Sequence, residues 1–246
     1  MILRRLTQHI KAQNWFAVVL DFIIVVVGVF VGLQVSNWNA SRQGELSREY
    51  YLERLATDLS QTIALSESLE ESALKKSAII ERFTVALNDT ESQADELVAA
   101  TRSYLSEGTQ LIGFGIIWGT YEDLSSTGNF SVLQNQKLVE RLINLSTFFD
   151  YMADSYRVNS DWILPFDTSL ASEFDWMRYE DKTAQLFPVL TLEEQSAEIR
   201  VNATLLRRHA ALHHWFLDYS VRANQDSIAK SRQVLGMVQG ERGIFK

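Results

Sequence analysis

The sequence predicts an all-α protein: a single N-terminal transmembrane helix followed by an extracytoplasmic helical bundle with long first and last helices. Three observations carry this. An apolar run, WFAVVLDFIIVVVGVFVGLQVSNW, extends from Trp15 to Trp38. Long stretches on either side of the chain's middle place apolar residues three and four apart, the period of a helix face. Only two prolines, Pro165 and Pro188, interrupt 246 residues, and no stretch alternates as a strand would.

At a rise of ~1.5 Å per residue, the helix from Trp15 to Val35 is about 30 Å long, the thickness of a bilayer's hydrocarbon core. The run exceeds the 7–15 residues usual for a cleaved signal core. Its exit, Gln34-Val35-Ser36-Asn37-Trp38, lacks a small-x-small cleavage pair. Tryptophans near both ends match interfacial belts, so an anchor is expected. Residues 1–14 hold Arg4, Arg5 and Lys11, whereas all 31 acids lie beyond them. By the positive-inside rule this places residues 1–14 in the cytoplasm, 15–38 in the bilayer and 39–246 outside as an acidic helical domain. For a bacterial protein that is a single-pass inner-membrane arrangement with a periplasmic domain.

The net charge of −8 opposes binding to phosphate backbones, so no nucleic-acid partner is expected. The absence of cysteine removes disulfides, thiolate metal sites and thiol catalysis.

Within the span, Asp21, Gly28, Gly32 and Asn39 fall on one helix face at 100° per residue, and Gln34 projects elsewhere. Gly28-Val-Phe-Val-Gly32 is a GxxxG pattern that lets helix backbones approach closely. This face is expected to pack against another transmembrane helix, its own copy or a partner's. The expected partners are therefore the lipid bilayer and other transmembrane helices.

The string from Asp21 through Gly28, Gly32, Gln34, Asn37 and Trp38 to Asn39 resembles the N-terminal signature of a family of uncharacterised bacterial single-span membrane proteins. A second stretch is similar to the same family's "TAYEDLKSSGNL" segment: Thr120-Tyr121-Glu122-Asp123-Leu124, then Gly128-Asn129, Leu133, Asn135 and Leu138. Tyr51-Leu52, Leu55 and Asp58-Leu59 resemble its post-membrane "YL..L..DL". The chain departs from the pattern with aspartate at 21, where glutamate is commoner, and without the glycine before it. The resemblance implies topology and bacterial origin but no reaction, and with that origin Asn129-Phe-Ser131 and Asn144-Leu-Ser146 are not glycosylation sites.

In the exterior domain, one long helix is expected from Leu46 to Leu87, continuing the anchor unless Gly44 interrupts it. Its seam is Leu52, Leu55, Leu59, Leu69, Ala73, Ile80, Phe83 and Leu87, with Thr62, Ser66 and Lys76 at polar positions. A second helix should end at Gly108, and Thr109–Gly119 reads as a buried loop or irregular helix start. A short helix through Leu124 should stop where Gly128 takes the left-handed position. Tyr121, Glu122, Asp123 and Asn129 are candidates for a polar pocket at that turn, although a structural junction is the simpler reading. Asn135 should cap the next helix, running to Tyr156. Shorter helices and loops are expected from Ser160 to Val189. Thr191 with Glu194 resembles a capping box, and the last long helix is expected from about Glu193 or Val201 to Met237. Its stripe is Leu205, Leu212, Trp215 (or Phe216), Tyr219, Ala223 and Ile228.

Metal chemistry has one weak candidate: His209 and His213 at i, i+4, with His214 and Asp218 also four apart. Histidines on the surface are the simpler reading. There is no Gly-x-Ser-x-Gly elbow, Gly113-Phe-Gly115 is too short for a phosphate loop, and adjacent Glu122 and Asp123 diverge by about 100° on a helix. No enzyme and no cofactor are expected. The sequence favours a non-enzymatic interaction or scaffold protein, self-associating or accessory to a larger complex. The alternatives are a periplasmic ligand-sensing module signalling through a partner and, last, a metal-dependent enzyme.

Overall fold

A computed structural model of the chain describes residues 15–180 and 182–243. The basic 1–14 flank, with His9, and the side chain of Trp15 lie outside what is described. All regular structure among the described residues is helical. The chain divides into two compact units, Met1–Tyr50 and Tyr51–Lys246.

Helix α1 spans Trp15–Asn88 without a break at Gly44. Its stretch from Val19 to Asn39 is exposed throughout. An 18-residue window there has a mean hydropathy of 2.4, long and apolar enough to cross a membrane.

In the second unit, α1 runs antiparallel to the last helix, α6 (Ala203–Gly243). Polar pairs record the register: Glu53–Arg242, Glu67–Arg232, Glu70–Gln225, Glu81–His214 and Asn88–Arg207. Partner numbers fall along α6 as they rise along α1. Such surface pairs contribute less than about 1 kcal/mol each, so apolar burial holds the helices together and the pairs mark alignment. The expected α1 seam is the buried one: Leu52, Leu55, Leu59, Thr62, Ser66, Ala73, Ile80, Phe83 and Leu87 all face inward. Leu69 and Lys76 are half-buried. The Lys76 ammonium escapes by donating to Glu107 O and Gln110 Oε1.

Between α1 and α6 the chain forms α2 (Ala94–Ser103), a wider π-turn (Tyr104–Gly108) and a half-buried irregular segment through Trp118. Then come α3 (Gly119–Ser126), α4 (Gln136–Glu173) and α5 (Leu192–Val201). The end of α3 is a Schellman motif. Asn129 N donates to Leu124 O, Gly128 N donates to Ser125 O, and Gly128 sits at φ +66° as expected. Asn135 Oδ1 caps α4 through Leu138 N, and Thr191 and Glu194 form the expected capping box, although it opens the short α5 and not the last long helix, which begins separately at Ala203.

Two expectations are corrected. First, α4 does not stop near Tyr156; it continues through Pro165 to Glu173. A mid-helix proline costs roughly 3 kcal/mol. Burial of Ile163 on one side of it and of Leu170 and Phe174 on the other offsets that cost. Second, the α6 stripe holds only in part. Phe216, Ala223 and Ile228 are buried as expected, but Leu205, Leu212 and Tyr219 are half-buried and Trp215 is 40% exposed, while Leu206, His209, Ala210, His213, Leu217, Ser220, Asn224, Ser227 and Ser231 take the inward positions.

The polar members of that stripe have a structural purpose. The irregular 110–118 segment lacks ladder partners for its backbone, and buried backbone groups must be hydrogen-bonded. Thr62 Oγ1 donates to Ile117 O at 3.0 Å and accepts from Ile117 N at 2.9 Å. From α6, Ser220 Oγ donates to Ile112 O, and Asn224 Nδ2 donates to Gly113 O at 3.0 Å. Ser66 and Ser227 hydroxyls meet at 3.1 Å, joining α1 to α6 directly. This polar belt separates two apolar clusters, one built around Leu55, Leu59, Leu124 and Leu142, the other around Phe83, Leu97, Tyr104 and Leu206. Gly115 permits the close approach, since a Cβ there would overlap the Leu65 side chain.

Replacing Thr62 by Val keeps the side chain's shape but strands the Ile117 amide and carbonyl. It is expected to lower unfolding stability by roughly 1–3 kcal/mol, read from denaturation of the full chain in mild detergent. Ser60→Ala is the control, because that hydroxyl bonds only to Ala56 O one turn back on the same helix. Its change should stay within about 0.5 kcal/mol.

Candidate functional site

The side chains with the densest chemistry converge from α4, α6 and the π-turn. On α6, residues four apart share a face, so His209 and His213 project together, with ring centroids 4.6 Å apart. Asp167 comes from α4, two residues past Pro165. Its Oδ1 lies 2.8 Å from His209 Nε2 and 2.8 Å from His213 Nε2. On the far side of His209, the Tyr104 hydroxyl lies 2.5 Å from Nδ1. Tyr104 is stacked on Phe83, with centroids 4.3 Å apart and planes 7° from parallel, which sets the direction of its hydroxyl.

The histidines are 3% and 1% exposed, whereas Asp167 is 38% exposed and gives the cluster its opening. The expectation of surface histidines is therefore corrected. Asp218, the sequence's choice of carboxylate partner, is not part of the cluster. It pairs with Arg222 at 2.8 Å, and His214 faces Glu81 at 3.5 Å. The helical period explains this: Asp218 lies nine residues beyond His209, which turns it half-way round α6. Asp167 was missed because it lies 42 residues from His209, in a stretch that the proline suggested was irregular. The α-helical i, i+4 histidine pair was the only local signal.

Electrostatics favours one protonation pattern. Burial raises the Asp167 carboxyl's pKa, but the hydrogen bonds from His209 and His213 outweigh it and bring the group down to about 2. His209 is held below the ordinary histidine value chiefly by burial. Its bond to Asp167 opposes that shift, and the neighbouring His213 charge adds to it. Burial, with the Asp167 charge behind it, pushes the Tyr104 phenol well above its usual range. At neutral pH the bonds are therefore satisfied by Tyr104 O–H donating to His209 Nδ1 and His209 Nε2–H donating to ionised Asp167.

The Thr120–Asn129 motif sits elsewhere and makes a helix junction. Asp58 Oδ2 accepts from Thr120 N at 2.8 Å, and Arg54 pairs with Asp123 at 3.4 Å. Tyr121 stacks on Trp118, with centroids 5.0 Å apart, and Phe149 meets the indole edge-on. Glu122 and Asn129 face solvent. On α1, Asp21, Gly28, Gly32, Gln34, Asn37, Trp38 and Asn39 are all exposed.

No protein-family model matches the chain, and neither does any curated protein or solved structure.

Both depressed pKa values have the same sign in stability. Each group's native form binds fewer protons than its unfolded form, so stability is present above the unfolded pKa and lost on acidification. His209 loses its contribution as pH falls below about 6.5, and Asp167 as pH falls from about 4 toward 2. Thermal unfolding midpoints should therefore drop between pH 6.5 and 5. His209→Gln should flatten that segment while leaving the drop below pH 4 in place.

Proposed function

We propose that this chain is a single-span membrane protein whose N-terminal helix both anchors it and associates with another transmembrane helix. One observation carries the reading: the apolar length of α1 is exposed, unlike a core helix of similar hydropathy. A soluble protein rarely leaves so large an apolar surface uncovered, and a bilayer covers it at no polar cost. The face of Asp21, Gly28, Gly32 and Asn39 supports association, because glycines four apart admit a second backbone. An intramembrane carboxylate is also better tolerated facing a neighbouring helix than facing lipid. The basic 1–14 flank supports a cytoplasmic N-terminus and a periplasmic bundle in a bacterial inner membrane. The resemblance to bacterial single-span proteins agrees with that placement. On this reading the acidic bundle is a non-enzymatic scaffold, self-associating or accessory to a larger complex.

Ligand sensing is the second reading. A groove of about 570 Å³ lies between Ile80, Thr84 and Val85 on α1 and Arg207, Ala210 and His214 on α6. Its floor is apolar, and its rim carries Arg207 beside the Glu81–His214 pair, so a small amphipathic molecule with an anionic group for Arg207 would suit it. Stabilisation of the bundle by such a compound, lost in Arg207→Ala, would favour this reading.

For the anchor, Gly28→Cys should cross-link to a second transmembrane helix in native membranes, and adding Gly32→Leu should reduce the yield several-fold. A monomer in mild detergent with no cross-linked product in membranes would overturn the association. Protease protection of residues 39–246 in spheroplasts would overturn the orientation.

A further inference from the structure

We infer that Asp167, His209 and His213 form a binding site for one divalent transition-metal ion of the zinc, cobalt or nickel kind. The inference is independent of the anchor's role and rests on the placement of the donor atoms. Both Nε2 atoms stand 2.8 Å from the same carboxylate oxygen, and the three donor atoms lie within 4.8 Å of one another. An ion held at ~2.0–2.2 Å by imidazole nitrogens and a carboxylate oxygen places neighbouring donors roughly 3.0–3.4 Å apart. The two oxygen–nitrogen separations of 2.8 Å therefore need a few tenths of an ångström of widening, with the two nitrogens, within 4.8 Å of each other, settling to the same spacing around the ion.

The surroundings fit the same purpose. A buried ligand histidine is ordinarily held by a hydrogen bond to its other nitrogen, which fixes tautomer and ring plane. Tyr104 provides that bond to His209 Nδ1, and Phe83 stacks on Tyr104. When Nε2 ligates the ion, the neutral imidazole changes tautomer: Nε2 gives up its proton, Nδ1 takes one up from water, and Nδ1–H then donates to the Tyr104 oxygen with no net change in bound protons. The two-nitrogen, one-oxygen donor set selects borderline ions over calcium and magnesium, which require oxygen ligands. Asp167 is the partly exposed member, so the ion enters along its side and keeps water in the remaining positions.

The alternative is that the cluster is a buried hydrogen-bond network, with both imidazoles donating N–H to Asp167. The two differ in what happens when metal is added, because ligation must displace the protons that the network uses.

The test uses the full chain, purified in mild detergent without a histidine tag and stripped with EDTA. Cobalt(II) titration should show one equivalent per chain with visible ligand-field bands, displaced by zinc. Affinity should fall as pH drops from 7 to 5.5. His213→Ala and Asp167→Asn should each weaken binding at least ~100-fold. Tyr104→Phe should weaken it about tenfold and retain the stoichiometry. His214→Ala, one residue along α6 but facing Glu81, should leave it unchanged. Circular dichroism checks that each variant keeps its helix content. If a variant unfolds, the wild-type spectrum and stoichiometry still decide. Absence of saturable cobalt or zinc binding to the wild-type chain would overturn the site. So would binding that persists unweakened in folded His213→Ala and Asp167→Asn.

Discussion

The bundle depends on one constraint, the need to satisfy the backbone of an irregular segment lodged against its two longest helices. Residues 110–118 form no helix, and among the described residues there is no strand for them to pair with. Their carbonyls and amides are met by side chains instead: Thr62 from α1, Ser220 and Asn224 from α6. An unmet buried amide or carbonyl costs about 1–3 kcal/mol, comparable to the loss of a buried methyl group or two. That is why polar residues recur in the middle of both helices, where a purely apolar seam would pack more simply. The antiparallel register of α1 and α6 follows, because a slip by one helical turn would carry every one of these hydroxyls past its carbonyl.

The same belt separates the core into two apolar clusters, and the Asp167–His209–His213 group lies beside the one containing Tyr104 and Phe83. The π-turn beginning at Tyr104 matters here. A wider turn at the end of α2 presents Tyr104 inward, where its hydroxyl meets His209 and its ring meets Phe83. Gly108 closes the turn with its Cα against the Tyr104 ring, and a Cβ there would crowd that ring at 2.9 Å. Packing and polar satisfaction thus reinforce one another: the stacked ring orients the hydroxyl, and the hydroxyl orients the imidazole.

Much of the architecture was legible locally. The α1 seam, the Gly128 turn, the Asn135 cap and the Thr191–Glu194 capping box are signals spanning fewer than five residues or a simple period, and each is found where its residues lie. The misreadings share a cause. Reading α6 by apolar period alone selected Leu205, Leu212 and Trp215, because the stripe that is buried contains histidine, serine and asparagine. Ending α4 at Tyr156 and expecting shorter helices and loops from Ser160 cut it short, because the burial that sustains it comes from residues far away in sequence.

By itself, the sequence determined the helical class, one stretch able to span a membrane, the acidic balance of everything after it, and the local caps. All of these follow from composition and short-range geometry. Tertiary structure decided which carboxylate meets His209 and His213. Asp218 is a near neighbour in sequence, but its helical angle turns it to the opposite face. Asp167 is more than forty residues away, and the packing of α4 against α6 delivers it to 2.8 Å. Helical periodicity is a local property that a sequence displays. Convergence of donor atoms depends on how two helices cross, which is settled by the buried side chains between them.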